Sequence, residues 1–367
     1  MLFHFPLLLS LLLLVLGGKG VLCAEIRIRS ADEFIQFKNN VNNGKNYSGT
    51  TVFLDSDLSL VGKSFGPIGN YDYFFRGVFD GQGHVISNLE MTSASQRVGL
   101  FGYSEGLTIK NVILDSSCSI TSSRNSGHAY IGGIIGVCET ENGACTIENS
   151  VNMGSVTFSG SISSKDLYLG GIAGALDSYS YNINANNCAN YGDVTHSGES
   201  SNSYIGGIVG YSYSDSESKS VYIYNCLNHG TITHSGTTSN LRLGGINGYT
   251  EYTAFIENCV SGGKISLLTT ASENNNVGSI VGEVDPDASI NYCYFTSDLS
   301  GYEKYGTETP DSESNTLSYD NTSFELSGLF LLGATQAPPS LMPSTLLLII
   351  TPSVTTPTGS STRRTML

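Results

Sequence analysis

The stretches Leu169-Gly-Gly-Ile-Ala-Gly174, Ile205-Gly-Gly-Ile-Val-Gly210 and Leu243-Gly-Gly-Ile-Asn-Gly248 are three copies of one phrase. Earlier copies at Val98-Gly-Leu-Phe-Gly102 and Ile131-Gly-Gly-Ile-Ile-Gly136, and a decayed one at Val277-Gly-Ser-Ile-Val-Gly282, extend the series in both directions. Their first glycines, from Gly99 to Gly278, are spaced by 33, 38, 36, 38 and 34 residues, which marks a repeat protein. Each phrase leads to a second, as in Ile147-Glu-Asn-Ser-Val-Asn-Met-Gly154 and Ile223-Tyr-Asn-Cys-Leu-Asn-His-Gly230. A third short strand follows, such as Ser155-Val-Thr-Phe158 or Thr231-Ile-Thr-His234. Three β-segments per unit, joined by Gly, Asn and Ser turns, describe one coil of a three-sided parallel solenoid. Helical repeats of this period need apolar stripes at i, i+3 and i+4, and none is present. The expected fold is all-β: a right-handed parallel β-helix of about six coils.

Composition agrees. Of 367 residues 13% are charged, against roughly 25% in ordinary soluble domains, while 43 Gly, 21 Tyr and 15 Phe are present and Trp is absent. Helix surfaces need Ala, Leu, Glu and Lys, so this balance favours strands and turns. A formal net charge of −15 excludes a nucleic-acid binder, because phosphate backbones are held by Lys and Arg. Affinity for an anionic membrane surface is not expected, on the same ground.

In a parallel coil each unit lies about 4.8 Å above the last, so equivalent residues form ladders. Ile147, Ile223, Ile256 and Ile290 are expected to stack inward. Asn152, Asn190 and Asn228 are expected to form an amide column that also serves a left-handed corner, and the glycine pairs to serve bends where a Cβ would clash.

The run Val98-Gly-Leu-Phe-Gly-Tyr-Ser-Glu-Gly-Leu-Thr-Ile-Lys-Asn-Val112 resembles the GLUG-motif proteins, and the resemblance spans about residues 75 to 295. Phe79-Asp-Gly-Gln-Gly-His-Val-Ile86 is similar to the opening coil of pectate-lyase-like β-helices. The resemblance implies a surface or secreted chain, often adhesin-like, of bacteria or microbial eukaryotes. One group of such proteins carries the repeat beside an immunoglobulin-cleaving metalloprotease domain. No HExxH motif occurs here, so that activity is not implied.

Five regions are expected. Residues 1–24 read as a secretory signal, with an apolar run from Leu7 to Leu16 too short to span a bilayer. Its removal, with Lys19, would take the net charge from −15 to −16. Residues 25–97 form an N-terminal cap and opening coil, in which Ser30-Ala-Asp-Glu33 starts a capping helix with Phe34, Phe37 and Val41 on one stripe. The repeats occupy 98–300, a C-terminal cap 301–327, and a disordered Pro/Ser/Thr-rich tail 328–367.

Cys138 and Cys145 flank a short loop and are candidates for a local disulfide. Cys188, Cys226, Cys259 and Cys293 recur at one position of successive units. Buried thiols and disulfides between adjacent coils both stay open for this ladder; a metal centre does not suit it, because zinc wants four convergent ligands and a ladder strings them in a line. No metal or cofactor is expected. His196 and His234 read as an outward polar position copied by duplication. Asn46-Tyr-Ser48 and Asn321-Thr-Ser323 are candidate N-glycosylation sites.

Catalysis on such a fold needs clustered carboxylates on an outer face. The outward acids Glu148 and Glu257 lie three units apart, and Glu139, Asp215 and Glu217 fall in apparent loops, so no column of paired carboxylates is expected and the chain reads as no enzyme. The turn after each Gly-Gly phrase is rich in aromatics: Tyr103, Tyr179, Tyr181, Tyr211, Tyr213, Tyr249 and Tyr252. Superposed, they would make an exposed strip suited to sugars or proteins. The expectation is a monomeric secreted or cell-surface adhesin-like module that binds an extracellular glycan or surface glycoprotein, with no nucleic acid and no membrane span. A passive stalk or coat element and a polysaccharide-degrading enzyme are the alternatives.

Overall fold

The computed structural model describes residues 24–215 and 218–296, followed by short strands at Glu303–Tyr305, Leu317–Tyr319, Ser353–Thr355 and Ser361–Arg363. From Ala24 to Thr296 equivalent strands pair in parallel, each coil beside the next, as the repeat requires. One coil runs through Cys145–Glu148, Val151–Asn152, Ser155–Phe158, Leu167–Gly170 and Ala173–Ser178, and the next begins at Ile183–Asn186. The first two strands lie in two nine-stranded sheets, the third in a six-stranded sheet, and the last two form paired rows of one bent thirteen-stranded sheet. The coil therefore has four faces and not three, and the six-stranded sheet counts six coils that carry them all. The ladder also starts before the repeat is legible, at Ala24–Ile28 against Thr50–Leu54.

The fourth face arises within the second phrase, where left-handed Asn149 parts Cys145–Glu148 from Val151–Asn152 and sends them to different sheets. The Gly-Gly phrase is likewise two strands, Leu167–Gly170 and Ala173–Ser178, with a bend between them inside one sheet. A Cβ on Gly171 would lie 2.3 Å from the Gly207 carbonyl oxygen and 2.3 Å from Asn190 Cγ. One coil on, Gly207 meets the Gly245 oxygen at 2.2 Å and Asn228 Cγ at 2.3 Å. Gly133, Gly171 and Gly207 are thus seats for the asparagines that follow about twenty residues later, Asn152, Asn190 and Asn228, with Ser261 in the same place over Gly245, and the two halves of the motif form one packing unit.

Those asparagines carry the ladder but not the corner. Asn152 Nδ2 donates to Asn190 Oδ1 at 3.0 Å, Asn190 Nδ2 to Asn228 Oδ1 at 2.9 Å, and each also donates to the glycine carbonyl two residues on. All three are buried in short strands. The left-handed corner belongs to the asparagine three residues earlier: Asn111, Asn149, Asn187, Asn225 and Asn258 have φ between 51° and 55°. Asn tolerates this region because its side chain bonds locally.

The interior is continuous. Ile147, Ala185, Ile223, Ile256 and Ile290 stand in register and are buried. Each fully buried aliphatic side chain contributes about 1.5–3 kcal/mol, a gain no coil achieves without its neighbours. Helix Ala31–Asn42 starts at Ser30, whose hydroxyl accepts the Glu33 N–H at 3.2 Å. It turns Phe34 and Phe37 onto Phe65, Phe75 and Phe79 with ring centroids 5.1 to 6.0 Å apart, closing one end of the core.

Candidate ligand-binding face

The outward side of the bent sheet gathers a run of tyrosines. Before the bend, Arg97, Tyr130, Tyr168, Tyr204, Arg242 and Asn276 occupy one in-register column. After it, Tyr103, Val137, Ala175, Tyr211, Tyr249 and Glu283 form a second. Glu105, Glu139, Asp177, Tyr213 and Glu251 form a third, because residues two apart on a strand share a face. The bend turns the first column toward the second. Tyr130, Tyr168 and Tyr204 stack at 4.5 and 5.1 Å, and Tyr211 meets Tyr168 at 5.2 Å and Tyr204 at 5.4 Å.

The expected tyrosines therefore divide. Tyr103 is fully buried, with its hydroxyl shared between Glu105 Oε1 and Glu139 Oε2, each at 2.8 Å; it is no exposed contact. Tyr211 and Tyr249 are half-buried in strands, separated from Tyr103 by Val137 and Ala175. Tyr179, Tyr181 and Tyr252 do lie on turns at the rim, where Tyr181 and Tyr252 are each 46% exposed. Tyr213 joins them, 5.6 Å from Tyr179 and 5.8 Å from Tyr252. Tyr130, Tyr168 and Tyr204 were not among the expected residues, although each stands two places before a Gly-Gly pair, a signal as regular as the phrase itself.

The acids are not scattered. Glu105, Glu139 and Asp177 stand on successive coils of one column, so the expectation of no carboxylate column is overturned. Strands Ile135–Glu139 and Ala173–Ser178 run on past the glycine phrase, placing Glu139 in a strand and not a loop. Arg76 lies over Phe74 at 5.2 Å and 3.4 Å from Glu105. Arg97 lies over Tyr103 at 4.8 Å and Tyr71 at 5.1 Å, and 3.9 Å from Glu139. Arg242 covers Tyr204 and Tyr249 at 5.3 and 5.2 Å and pairs with Glu283. Asp177 is only 8% exposed and its Oδ1 is enclosed with no hydrogen-bond partner. Burial, reinforced by Glu139, pushes its carboxyl up to about 8, so it is largely protonated at neutral pH.

His196 and His234 point inward. In Val194-Thr-His196 and Ile232-Thr-His234 the aliphatic residue faces the core, and period-two alternation sends the histidine the same way. Both are buried between Phe158 and Leu267, their Nδ1 atoms 2.9 Å apart and their Nε2 atoms without a partner. Burial lowers His196 to about 3 and His234 to about 4, so both are neutral.

Cys138 and Cys145 form a disulfide with Cα atoms 6.6 Å apart. Cys188, Cys226, Cys259 and Cys293 are buried free thiols, each donating to a carbonyl of the preceding coil at 3.4 to 3.5 Å, and Cys118 is a fifth. Buried thiols are inert. Ellman's reagent is expected to titrate none of these five in the native chain and all of them in denaturant; rapid native reaction at any ladder position would show that the coils open there. Asn46 is exposed, while Asn321 and Glu217 lie outside the described residues. Among the described residues no group of three or more His, Cys, Asp or Glu is arranged to hold a metal ion, and no helix is long and apolar enough to cross a membrane.

No protein-family model matches the chain, and no curated protein matches it. The crystal structure of a "putative immunoglobulin A1 protease" from Bacteroides ovatus is similar, with 21% identity and a TM-score of 0.55 over 80% of this chain and 82% of that one. A likeness at that identity carries the β-solenoid fold and no further property.

Proposed function

We propose that this chain is a secreted or cell-surface, adhesin-like binding module of the GLUG-repeat kind, acting as a monomer without catalysis or cofactor. Its tyrosine face and rim meet an extracellular glycan or surface glycoprotein. The rim carries this reading: Tyr179, Tyr213 and Tyr252 follow one another on successive coils with ring centroids 5.6 and 5.8 Å apart, and Tyr252 and Tyr181 are each 46% exposed. Such rings offer an apolar face and a hydroxyl at small entropic cost, and coil-by-coil repetition places weak contacts side by side. Glu105 and Glu139 are engaged by Tyr103 and by arginines, which suits a rigid recognition surface better than proton transfer.

A glycan and glycoprotein array tests the reading. The parent chain should bind a defined subset of spots. Tyr181→Ala/Tyr252→Ala, which removes exposed rings only, should weaken that binding by about tenfold or more with an unchanged melting temperature. Equal binding by the double variant would remove the rim from the site.

A further inference from the structure

Glu105, Glu139 and Asp177 stand on three consecutive coils, and the first two share one arrangement. Each carboxylate is faced by an arginine of the same chain whose guanidinium lies on an aromatic ring: Arg76 on Phe74 for Glu105, Arg97 on Tyr71, Tyr103 and Tyr130 for Glu139. Arg242 repeats it farther along with Glu283, Tyr204 and Tyr249. Asp177 has the aromatic neighbours, with Tyr213 next in its column and Tyr168 and Tyr211 in the adjoining ones. Among the described residues no basic side chain forms a contact ion pair with it, and Arg97, engaged by Glu139, acts on it only at a distance: its Oδ1 is enclosed and unbonded, and the residue is nine-tenths buried.

We propose that Asp177 and the tyrosines beside it form a subsite for an arginine side chain of a protein partner, held as Arg76 and Arg97 are held within the chain. A planar guanidinium suits the subsite because it stacks on rings and forks onto a carboxylate, and all three internal examples are arginines. A net charge of −15 favours the approach of basic protein surfaces to the chain. This inference rests on the binding role proposed above and narrows its partner to a protein surface that bears arginine.

Proton linkage follows. The charged groups facing Asp177 are Glu139, Glu251 and Arg97, and the surrounding tyrosines stay protonated because burial raises each of them. An incoming guanidinium favours the carboxylate, so below pH 8 binding expels a proton from Asp177. Affinity should rise with pH by up to about tenfold per unit and level off above the free carboxyl's titration near 8.

The experiment is calorimetric titration of the full chain with N-acetyl-arginine amide and with its uncharged citrulline counterpart, at pH 6.5 and 8.5. The arginine amide should bind saturably, about tenfold or more tighter than citrulline, and about tenfold or more tighter at the higher pH. Asp177→Asn should abolish that preference while melting at or above the parent temperature, since an amide replaces a carboxyl that is costly to bury. Equal binding of arginine and citrulline, or parent-like arginine binding by Asp177→Asn, overturns the proposal. Should that variant fail to fold, the parent decides alone: arginine affinity that does not rise with pH overturns it equally. Array binding that depends on Tyr181 and Tyr252 but comes without arginine binding sinks the subsite only; loss of both sinks the binding role as well.

Discussion

Gly207→Ala is expected to destabilise the protein by on the order of 4 kcal/mol, at the upper end of single substitutions. The added methyl would sit 2.2 Å from the Gly245 oxygen and 2.3 and 2.4 Å from Asn228 Cγ and Nδ2. Two of these atoms belong to a buried amide in the inter-coil ladder and the third to backbone, so no flexible side-chain end can move aside. Relief would mean displacing Asn228, which receives the amide of Asn190. Gly262→Ala is the matched comparison. Its methyl would find nothing nearer than 3.6 Å, and the change should lie within about 0.5 kcal/mol of neutral. Urea unfolding of both variants measures the contrast, and parent-like stability of Gly207→Ala would refute the account of the Gly-Asn packing unit.

Acid should weaken the solenoid through its buried imidazole pair. In the unfolded chain both histidines take the ordinary value near 6.5, while in the fold they titrate at about 3 and about 4. Between those limits the unfolded chain binds more protons, so stability is retained above about pH 6.5 and lost as the pH falls, at up to about 1.4 kcal/mol per unit for each imidazole. By pH 4 the loss should be on the order of 6 kcal/mol. His196→Phe/His234→Leu extends the column with the side chains already above and below it, Phe158 and Leu267. The carboxylates titrate alike in both proteins, so the difference between their stability curves isolates the histidines. Parallel curves from pH 7 to 4 would count against the pair.

The coil was legible because its period repeats at every level: the glycine phrase, the inward isoleucines and the helix over the first coil all follow from spacing and alternation. The number of faces was not, since Ile147 to Gly154 reads as one segment and only the left-handed backbone of Asn149 shows that it turns from one sheet to the next. The histidines go against their polarity because the alternation set by Val194 and Ile232 sends them inward. Glu139 and Asp177 share an offset of seven residues from the first glycine of their units, as do Tyr213 and Glu251. That mixture of residue types hid the column, which becomes visible only in register. The enclosure of Asp177 depends on rings from neighbouring coils and leaves no local mark in the chain.

The hydrogen bonds that join Ile147, Ala185, Ile223 and Ile256 into one ladder all run along the stacking direction. Tension applied to the two ends of the stack thus opens bonds one rung at a time, as in a zipper, and never loads a whole sheet at once. A tether made this way yields in a train of small, similar releases and lengthens under pull before it lets go.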